Sequence, residues 1–318
     1  MPPIAILFLA GPTAVGKSAV ALELARLVDG EIVSADSMQV YRGMDVGTAK
    51  PTAEERQLIP HHLIDVCEVN EPFDVKRYVN SASSVITEIK SRHKTPVVVG
   101  GTGLYVRALR HGLFEGPSRN RNLRERLEEM TAVELFAELE KLDPLTAGRI
   151  DRHNPRRLVR ALEVFYETGK PISELQSEWP NSENRPLNGA KPAGTIFCLT
   201  RERKDLYERI EKRIDAQIAA GWVDEVKRLL DVGLEANQTA MQAAGYRELM
   251  AHLHGNLTLP QAVALIKTRT RQLARRQLTW FRREAQLNWV EIGREESPTH
   301  IARRIYSIFR EKENIKAS

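Results

Sequence analysis

The 318-residue sequence contains little cysteine, few aromatic residues and no long apolar run. Its two cysteines, Cys67 and Cys198, lie far apart without metal-ligand spacing, which argues against a zinc site and against a disulfide-based fold. No apolar segment approaches the roughly 18 residues that a membrane-spanning helix requires. Because the first predicted strand begins at residue 4, we expect no targeting peptide and a cytoplasmic protein.

Charge is distributed unevenly along the sequence. The formal net charge is +5, yet segment 241–290 alone contains eight Lys and Arg residues and only two acidic residues. The rest of the chain is therefore close to neutral. This pattern predicts a localised basic surface for a polyanionic partner such as nucleic acid, rather than a generally basic protein.

The order of the predicted elements indicates an α/β fold with a helical insertion. Strand-like segments without polar alternation alternate with helical patterns, which predicts a P-loop-type parallel sheet flanked by helices. These strands are predicted at residues 4–10, 31–35, 62–66, 96–99, 195–199 and 289–292. Strand patterns are absent between 117 and 194, where helical patterns dominate. We assign 1–116 and 195–318 to a catalytic core and 117–194 to a helical insertion domain.

The most informative motif follows the first predicted strand. Residues 11–18 read GPTAVGKS, which fits the G-x-x-x-x-G-K-[ST] pattern between a strand and a helix. In such a loop, backbone N–H groups and the helix N-terminus point at phosphate oxygens, and the lysine adds a positive charge. The hydroxyl of Ser18 is placed to bind Mg²⁺. We expect a pyrophosphate site with Mg²⁺ as cofactor, formed by Gly11, Pro12, Thr13, Ala14, Val15, Gly16, Lys17 and Ser18.

Two other strand ends carry candidate functional residues. Asp36 follows the second predicted strand, and ligands of parallel α/β sheets bind at the carboxyl ends of strands. A carboxylate there can bind Mg²⁺ through water or accept a proton, whereas its alternative role is to cap a turn. The fourth strand ends in three glycines and Thr102, which permits close approach of a ligand. No carboxylate follows this strand, which argues against a motor or switch ATPase.

Arginine residues recur at helical spacing in three segments. In the predicted helix 259–284, one arginine stripe lies beside Trp280 and Phe281, which fit base-stacking and core positions equally well. Its members are Arg271, Arg275 and Arg282. Arg156 and Arg160 share a face in the helical insertion. Arg209 and Arg213 share a face of another helix, where they could clamp a pyrophosphate or form a solvated, salt-bridged surface.

Six blocks of the sequence resemble the bacterial tRNA dimethylallyltransferase family. They are residues 11–18, 35–51, 99–105, 154–164, 243–248 and 271–282, and they span essentially the whole chain. The block 35–51, ADSMQVYRGMDVGTAKP, is far more specific than the phosphate loop. The resemblance implies transfer of the dimethylallyl group of dimethylallyl pyrophosphate to the exocyclic N6 amine of the adenosine 3′ to the anticodon in tRNA.

The resemblance also implies roles for individual residues. Asp36 would take the proton of the amine, Arg213 would clamp the pyrophosphate, and Thr13 would touch its bridging side. The resemblance and the basic segments together assign tRNA contacts to Asp36, Ser37, Met38, Gln39, Thr102, Arg124, Arg156, Arg157, Arg160, Gln242, Gly245, Tyr246, Arg247, Arg271, Arg275, Arg276 and Arg282. The target adenine would have to leave its stack, at a cost of roughly a few kcal/mol. We expect a monomer that binds the anticodon stem-loop and no membrane.

Two other functions fit parts of the sequence. A small-molecule P-loop kinase would explain residues 4–105 but not the basic helix. An RNA-binding protein that is regulated by nucleotide but not catalytic would leave Asp36 without a role. A P-loop usually suggests ATP binding; if the transferase interpretation holds, ATP should at most compete with the prenyl donor.

Overall fold

Short apolar segments form the strands of one parallel sheet. The computed structural model describes residues 4–112, 116–117, 120–178, 194–284 and 286–317. The strands are β1 (Ile6–Ala10), β2 (Gly30–Ser34), β3 (His61–His62), β4 (Thr95–Gly100), β5 (Gly194–Thr200) and β6 (Asn288–Glu291). These described strands lie in the order β3-β2-β4-β1-β5-β6, and every pair is parallel. The predicted α/β fold is confirmed.

Helices flank this sheet and continue into the basic part of the chain. Those on either side of the inserted segment are α1 (Lys17–Leu27), α2 (Ala53–Leu58), α3 (Val75–Ser91), α4 (Gly103–His111), α10 (Arg203–Ala219), α11 (Trp222–Asp231), α12 (Tyr246–Leu253), α13 (Leu259–Phe281) and α14 (Pro298–Ala317). Short 3₁₀ turns lie at Leu234–Ala236 and Ala240–Gln242. Among the helices of the described ranges, none is long and apolar enough to cross a membrane.

The chain divides into two compact units. One unit contains residues 1–110 and 192–318, and the other contains residues 111–191. The second unit consists of α5 (Arg121–Glu128), α6 (Ala132–Leu142), α7 (Pro144–Ala147), α8 (Pro155–Thr168) and α9 (Ile172–Glu178). Leucines of α6 and α8 form its apolar core. The last part of the predicted insertion, residues 179–193, lies outside the described residues, and Gly194 begins β5.

The third strand is shorter than the sequence predicts. The apolar pattern predicts residues 62–66, whereas β3 contains only two residues. Leu63 and Asp65 have φ values of 61° and 57°, a left-handed conformation that ends strand pairing. In this turn the Asp65 carboxylate accepts hydrogen bonds from Lys50 at 2.5 Å and Arg56 at 2.8 Å. The chain therefore leaves the sheet at this turn, and the Asp65 carboxylate holds Lys50, near the end of the specific 35–51 block, in place.

Candidate active site

The phosphate loop, residues 11–18, connects the central strand β1 to α1 and needs unusual backbone angles. Gly11 and Gly16 have φ values of 146° and 110°, and Ala14 between them has a φ of 63°. A Cβ atom on Gly11 would lie 2.8 Å from the carbonyl oxygen of Leu199. Glycine is thus required at this position both by conformation and by space. No described side chain caps the N-terminus of α1, so its first N–H groups remain available to an anion.

Lys17 folds back over the phosphate loop. Its Nζ donates hydrogen bonds to the carbonyl oxygens of Gly11 at 2.9 Å and Pro12 at 2.8 Å. Burial lowers the pKa of Lys17 to about 8, against the raising effect of the Asp36 carboxylate. The nearby guanidinium of Arg213 lowers this pKa further. Near neutral pH the loop therefore presents an ammonium whose charge an anion would stabilise.

Three arginines of β5–α10 hold the loop from outside. Arg201 lies just after the end of β5, and Arg209 and Arg213 lie on α10. The three hydrogen bonds run from Arg201 Nε to the Val15 carbonyl oxygen (2.8 Å), from Arg209 Nε to the Ala14 carbonyl oxygen (3.0 Å) and from Arg213 Nη2 to Thr13 Oγ1 (2.5 Å). Burial lowers the pKa of Arg213, although the Asp36 carboxylate opposes this effect. The helical spacing leaves the roles of Arg209 and Arg213 open, and the family resemblance implies a clamp at Arg213 alone; in the structure both contact the loop.

Arg213 retains unused donor capacity at this position. Its Nε is buried and finds no hydrogen-bond partner among the described residues. A buried donor without a partner is costly, and a ligand oxygen would remove that cost. The arrangement therefore favours an anion held between the loop and α10.

Asp36 lies at the same edge of the sheet, as its position after β2 predicts. Its Oδ1 accepts hydrogen bonds from the backbone N–H groups of Met38 at 2.8 Å and Gln39 at 3.4 Å. Its charge influences the pKa values of both Lys17 and Arg213. The carboxylate thus caps a turn with one oxygen, while the second oxygen accepts no hydrogen bond from the described part of the chain. The turn-cap role and a chemical role are compatible.

The end of β4 adjoins the end of β2. A Cβ on Gly100 would lie 2.1 Å from the carbonyl oxygen of Ala35, so only glycine permits this approach. Two residues later, Thr102 Oγ1 accepts the backbone N–H of Ser37 at 3.1 Å. Two of the residues assigned to tRNA contact, Ser37 and Thr102, are therefore brought together beside Asp36.

The segment 45–51 is held by a buried carboxylate that sequence reasoning missed. Glu225 of α11 is 2% exposed and accepts the backbone N–H groups of Asp45, Val46 and Gly47 at 2.8, 2.6 and 3.1 Å. It also accepts the hydroxyl hydrogen of Tyr246 at 2.8 Å. Four donors thus surround one carboxylate, which fixes the segment against α11 and α12.

A cavity of about 660 Å³ lies between this segment and α10. Arg213 forms part of its wall, and much of the remaining wall is apolar. Those apolar wall residues are Val46, Ala49, Pro51, Ala53, Ala216 and Ala220. The rest of the wall is polar or charged and includes Lys50 and Arg56 beside the carboxylates of Asp45 and Asp65, so the cavity combines an apolar surface with several charged groups.

The basic helix α13 differs along its length. Up to Arg271, Lys267 pairs with Asp215, Arg269 with Glu248, and Arg271 with Glu211 at 2.6 Å. Beyond Arg271, four arginines in or just after the helix form no ion pair with any residue in the described ranges. They are Arg275, Arg276, Arg282 and Arg283, and all four are exposed. The uncompensated positive charge is therefore concentrated toward the C-terminal end of the helix.

The structure distinguishes two aromatic residues that the sequence could not. Phe281 is fully buried in the core, whereas Trp280 is half-buried. Both side chains line a cavity of about 170 Å³ with Gly101 and Gly103. Of the other residues assigned to tRNA contact, Gln242 and Arg247 are exposed. Gly245 and Tyr246 are buried, and the Tyr246 ring packs edge-on against Trp222.

In the helical unit the predicted arginines are of two kinds. Arg156 and Arg157 are exposed at the start of α8. Arg160 and Arg124 instead contact Glu163, at 2.7 and 3.3 Å, and this carboxylate is fully buried. Both arginine side chains are half-buried, and the Nε of Arg124 is fully buried beside this carboxylate.

Sequence comparisons find similar proteins of one family. A family model described as IPP transferase matches residues 39–284. A tRNA dimethylallyltransferase of Trichlorobacter lovleyi is 46% identical over 93% of this chain and 97% of that protein, and one of Desulforudis audaxviator is 44% identical over 96% of each.

Solved structures agree with the sequence comparisons. A tRNA isopentenylpyrophosphate transferase of Bacillus halodurans is 38% identical, covers 99% of both chains and gives a TM-score of 0.71. A eukaryotic dimethylallyltransferase acting on tRNA is 26% identical and covers 98% of this chain and 80% of its own, with a TM-score of 0.81.

Proposed function

The chain belongs to the IPP transferase family, and we propose that it transfers the dimethylallyl group of dimethylallyl pyrophosphate to the N6 amine of the adenosine 3′ to the anticodon in tRNA. The observation that carries this proposal is the meeting of Lys17, Arg213 and Asp36 at one edge of the sheet. Cations suit a pyrophosphate leaving group, and a carboxylate suits an amine that must lose a proton. We also propose a monomer that acts in the cytoplasm.

Charge stabilisation on the leaving group supplies the first part of the mechanism. As the carbon–oxygen bond breaks, negative charge accumulates on the pyrophosphate. The backbone N–H groups of residues 14–18, Lys17 and Arg213 are oriented before the reaction, which is the efficient form of electrostatic catalysis. The exposed Ser18 hydroxyl at the start of α1 fits Mg²⁺, which would supply further positive charge beside the phosphates when bound.

Asp36 supplies the second part of the mechanism. The adenine amine forms a bond to the first carbon of the prenyl group and must release one proton. The second carboxylate oxygen of Asp36 can accept this proton while the first remains bonded to the Met38 and Gln39 amides. The turn thus fixes the orientation of the base.

The cavity beside Arg213 provides a place for the hydrocarbon part of the donor. Its apolar wall residues would take the dimethylallyl group out of water, while Arg213 remains on the pyrophosphate. ATP shares the linked phosphates of the donor but has a nucleoside where this site offers an apolar slot. We therefore propose that ATP competes with the donor without being turned over productively.

Mass spectrometry of tRNA nucleosides tests the proposed function. Unmodified tRNA incubated with the protein, Mg²⁺ and dimethylallyl pyrophosphate should yield N6-dimethylallyl adenosine, and ATP in place of the donor should yield no modified nucleoside. A parallel phosphate-release measurement with ATP and tRNA is the control. Release of phosphate at a rate comparable to prenyl transfer would contradict the proposal and favour the kinase alternative.

The charge difference along α13 gives a prediction for tRNA binding. Replacing Arg275 with alanine should lower the slope of log affinity against log salt by about one unit, because one phosphate contact is lost. Replacing Arg271 should change the slope less, since its guanidinium is already bonded to Glu211. The measurement is a salt titration of anticodon stem-loop binding with both variants. A larger change for Arg271→Ala would contradict this assignment.

A further inference from the structure

One side chain of α13 contacts the phosphate loop directly. Gln277 Oε1 accepts the backbone N–H of Thr13 at 2.8 Å, and its Nε2 donates to the carbonyl oxygen of Gly101 at 3.0 Å. Both ends of the amide are therefore used, and they connect two loops that follow two different strands. Neither bond is local, because Gln277 lies 264 residues from Thr13 and 176 from Gly101.

The backbone beneath α13 is shaped to admit this contact. A Cβ on Gly101 would lie 2.5 Å from Gln277 Nε2, and a Cβ on Gly103 would lie 2.2 Å from the Trp280 ring. Side chains at either position would push the helix away. The glycines after β4 thus serve close packing of α13, in addition to any ligand.

Gln277 also bonds to a residue that the site uses. The backbone N–H of Thr13 donates to Gln277 Oε1, and the hydroxyl oxygen of Thr13 accepts a hydrogen bond from Arg213. Gln277 stands next to Arg276 and two positions after Arg275, which carry uncompensated charge on the same helix. A single residue of the loop is therefore held between the pyrophosphate clamp and the basic helix.

We propose that Gln277 is a positioning residue that couples RNA binding on α13 to the geometry of the pyrophosphate loop. This inference rests on the proposed function. RNA that fixes the position of α13 also fixes Thr13, and through Thr13 the guanidinium of Arg213. Ordering the loop before the anion arrives removes part of the entropic cost of binding it. The coupling is reciprocal, so bound pyrophosphate strengthens RNA binding by the same factor.

Binding of inorganic pyrophosphate with and without an anticodon stem-loop tests the coupling. In the wild-type protein with Mg²⁺, saturating RNA should tighten pyrophosphate binding by at least about five-fold, the lower end of usual coupling. The coupling ratio is the pyrophosphate affinity with RNA divided by the affinity without RNA. In Gln277→Ala this ratio should fall toward one, while RNA affinity without pyrophosphate stays unchanged. Gln277→Glu keeps an acceptor for Thr13 but loses the donor to Gly101, so its ratio should be intermediate. Gln272→Ala, an exposed glutamine of the same helix, is the matched control.

A kinetic readout separates positioning from a structural role. The single-turnover rate of Gln277→Ala at saturating substrates should fall by roughly 10- to 100-fold, as displaced reacting groups commonly cause. A wild-type ratio of one, or an unchanged ratio in Gln277→Ala, would overturn the inference even where prenyl transfer is normal. Absence of prenyl transfer by the wild-type protein would instead overturn the proposed function. A Gln272→Ala variant as impaired as Gln277→Ala would also overturn the coupling role.

Discussion

Replacement of Asp36 by asparagine is expected to lower the single-turnover rate of prenyl transfer by about 10²- to 10⁴-fold, the usual range for a general base. Asparagine keeps an oxygen that can accept the Met38 and Gln39 amides, so the turn should persist. It cannot take a proton at neutral pH. The measurement is a rapid-quench assay with saturating donor and tRNA, and tRNA affinity should change little.

A comparison of two variants of Asp36 isolates its chemical role. Asp36→Ala removes both the base and the turn cap, whereas Asp36→Asn removes only the base. Equal losses in both variants indicate that proton transfer dominates. Near-normal turnover of Asp36→Asn, with a large loss only in Asp36→Ala, would reduce Asp36 to a turn cap and exclude it as the base.

Replacement of Lys17 or Arg213 by alanine is expected to reduce kcat/KM for the prenyl donor by about 10²- to 10³-fold, the usual cost of one preorganised donor to a developing anion. The salt dependence of tRNA binding should not change, since neither residue lies on the basic helix. Lys212→Ala is the matched control, because Lys212 is exposed and adjoins Arg213 on α10. A lower salt slope in Lys17→Ala would contradict the assignment of pyrophosphate to this loop.

The pH dependence of this loop has a distinctive sign. The pKa of Lys17 is about 8 in the folded protein and 10.5 ordinarily, so kcat/KM for the donor should fall above pH 8 as the charge is lost. Between pH 8 and pH 10.5, Lys17 binds more protons in the unfolded chain than in the folded protein. The contribution of Lys17 to the free energy of unfolding therefore rises with pH in this range. Donor use and stability should thus change in opposite directions in this window. The alkaline decrease in kcat/KM should disappear in Lys17→Ala.

The local parts of the fold could be predicted from the sequence. Strand and helix patterns near residues 4–28 and 75–100 are strong, and the start of α8 has the local signal of Pro155 directly after the cap Asn154. The pattern failed at residues 63–66, where positive φ values at Leu63 and Asp65 end the strand. In this turn Asp65 pairs with Lys50 and Arg56, and no local strand pattern reveals these contacts.

The supporting residues of the site could not be predicted in the same way. Arg201, Glu225 and Gln277 act on segments far away in the sequence, and each resembles an ordinary helix or loop residue. Glu225 alone gave a usable signal, because it shares the apolar face of α11 with Trp222 and Leu229. A carboxylate on such a face is buried and needs several donors. The motifs of the site could therefore be predicted from the sequence. The long-range hydrogen bonds that hold these motifs in position could not.

The separation between the phosphate loop and its supports has a consequence for biosynthesis. The loop emerges first, yet the side chains that hold it follow 186 to 264 residues later. At about 5–20 residues per second, the ribosome needs on the order of tens of seconds to supply them. Until β5 is made, the central strand β1 has a neighbour on only one side. The nascent chain must therefore keep an apolar strand edge from aggregating while the inserted helical unit is translated.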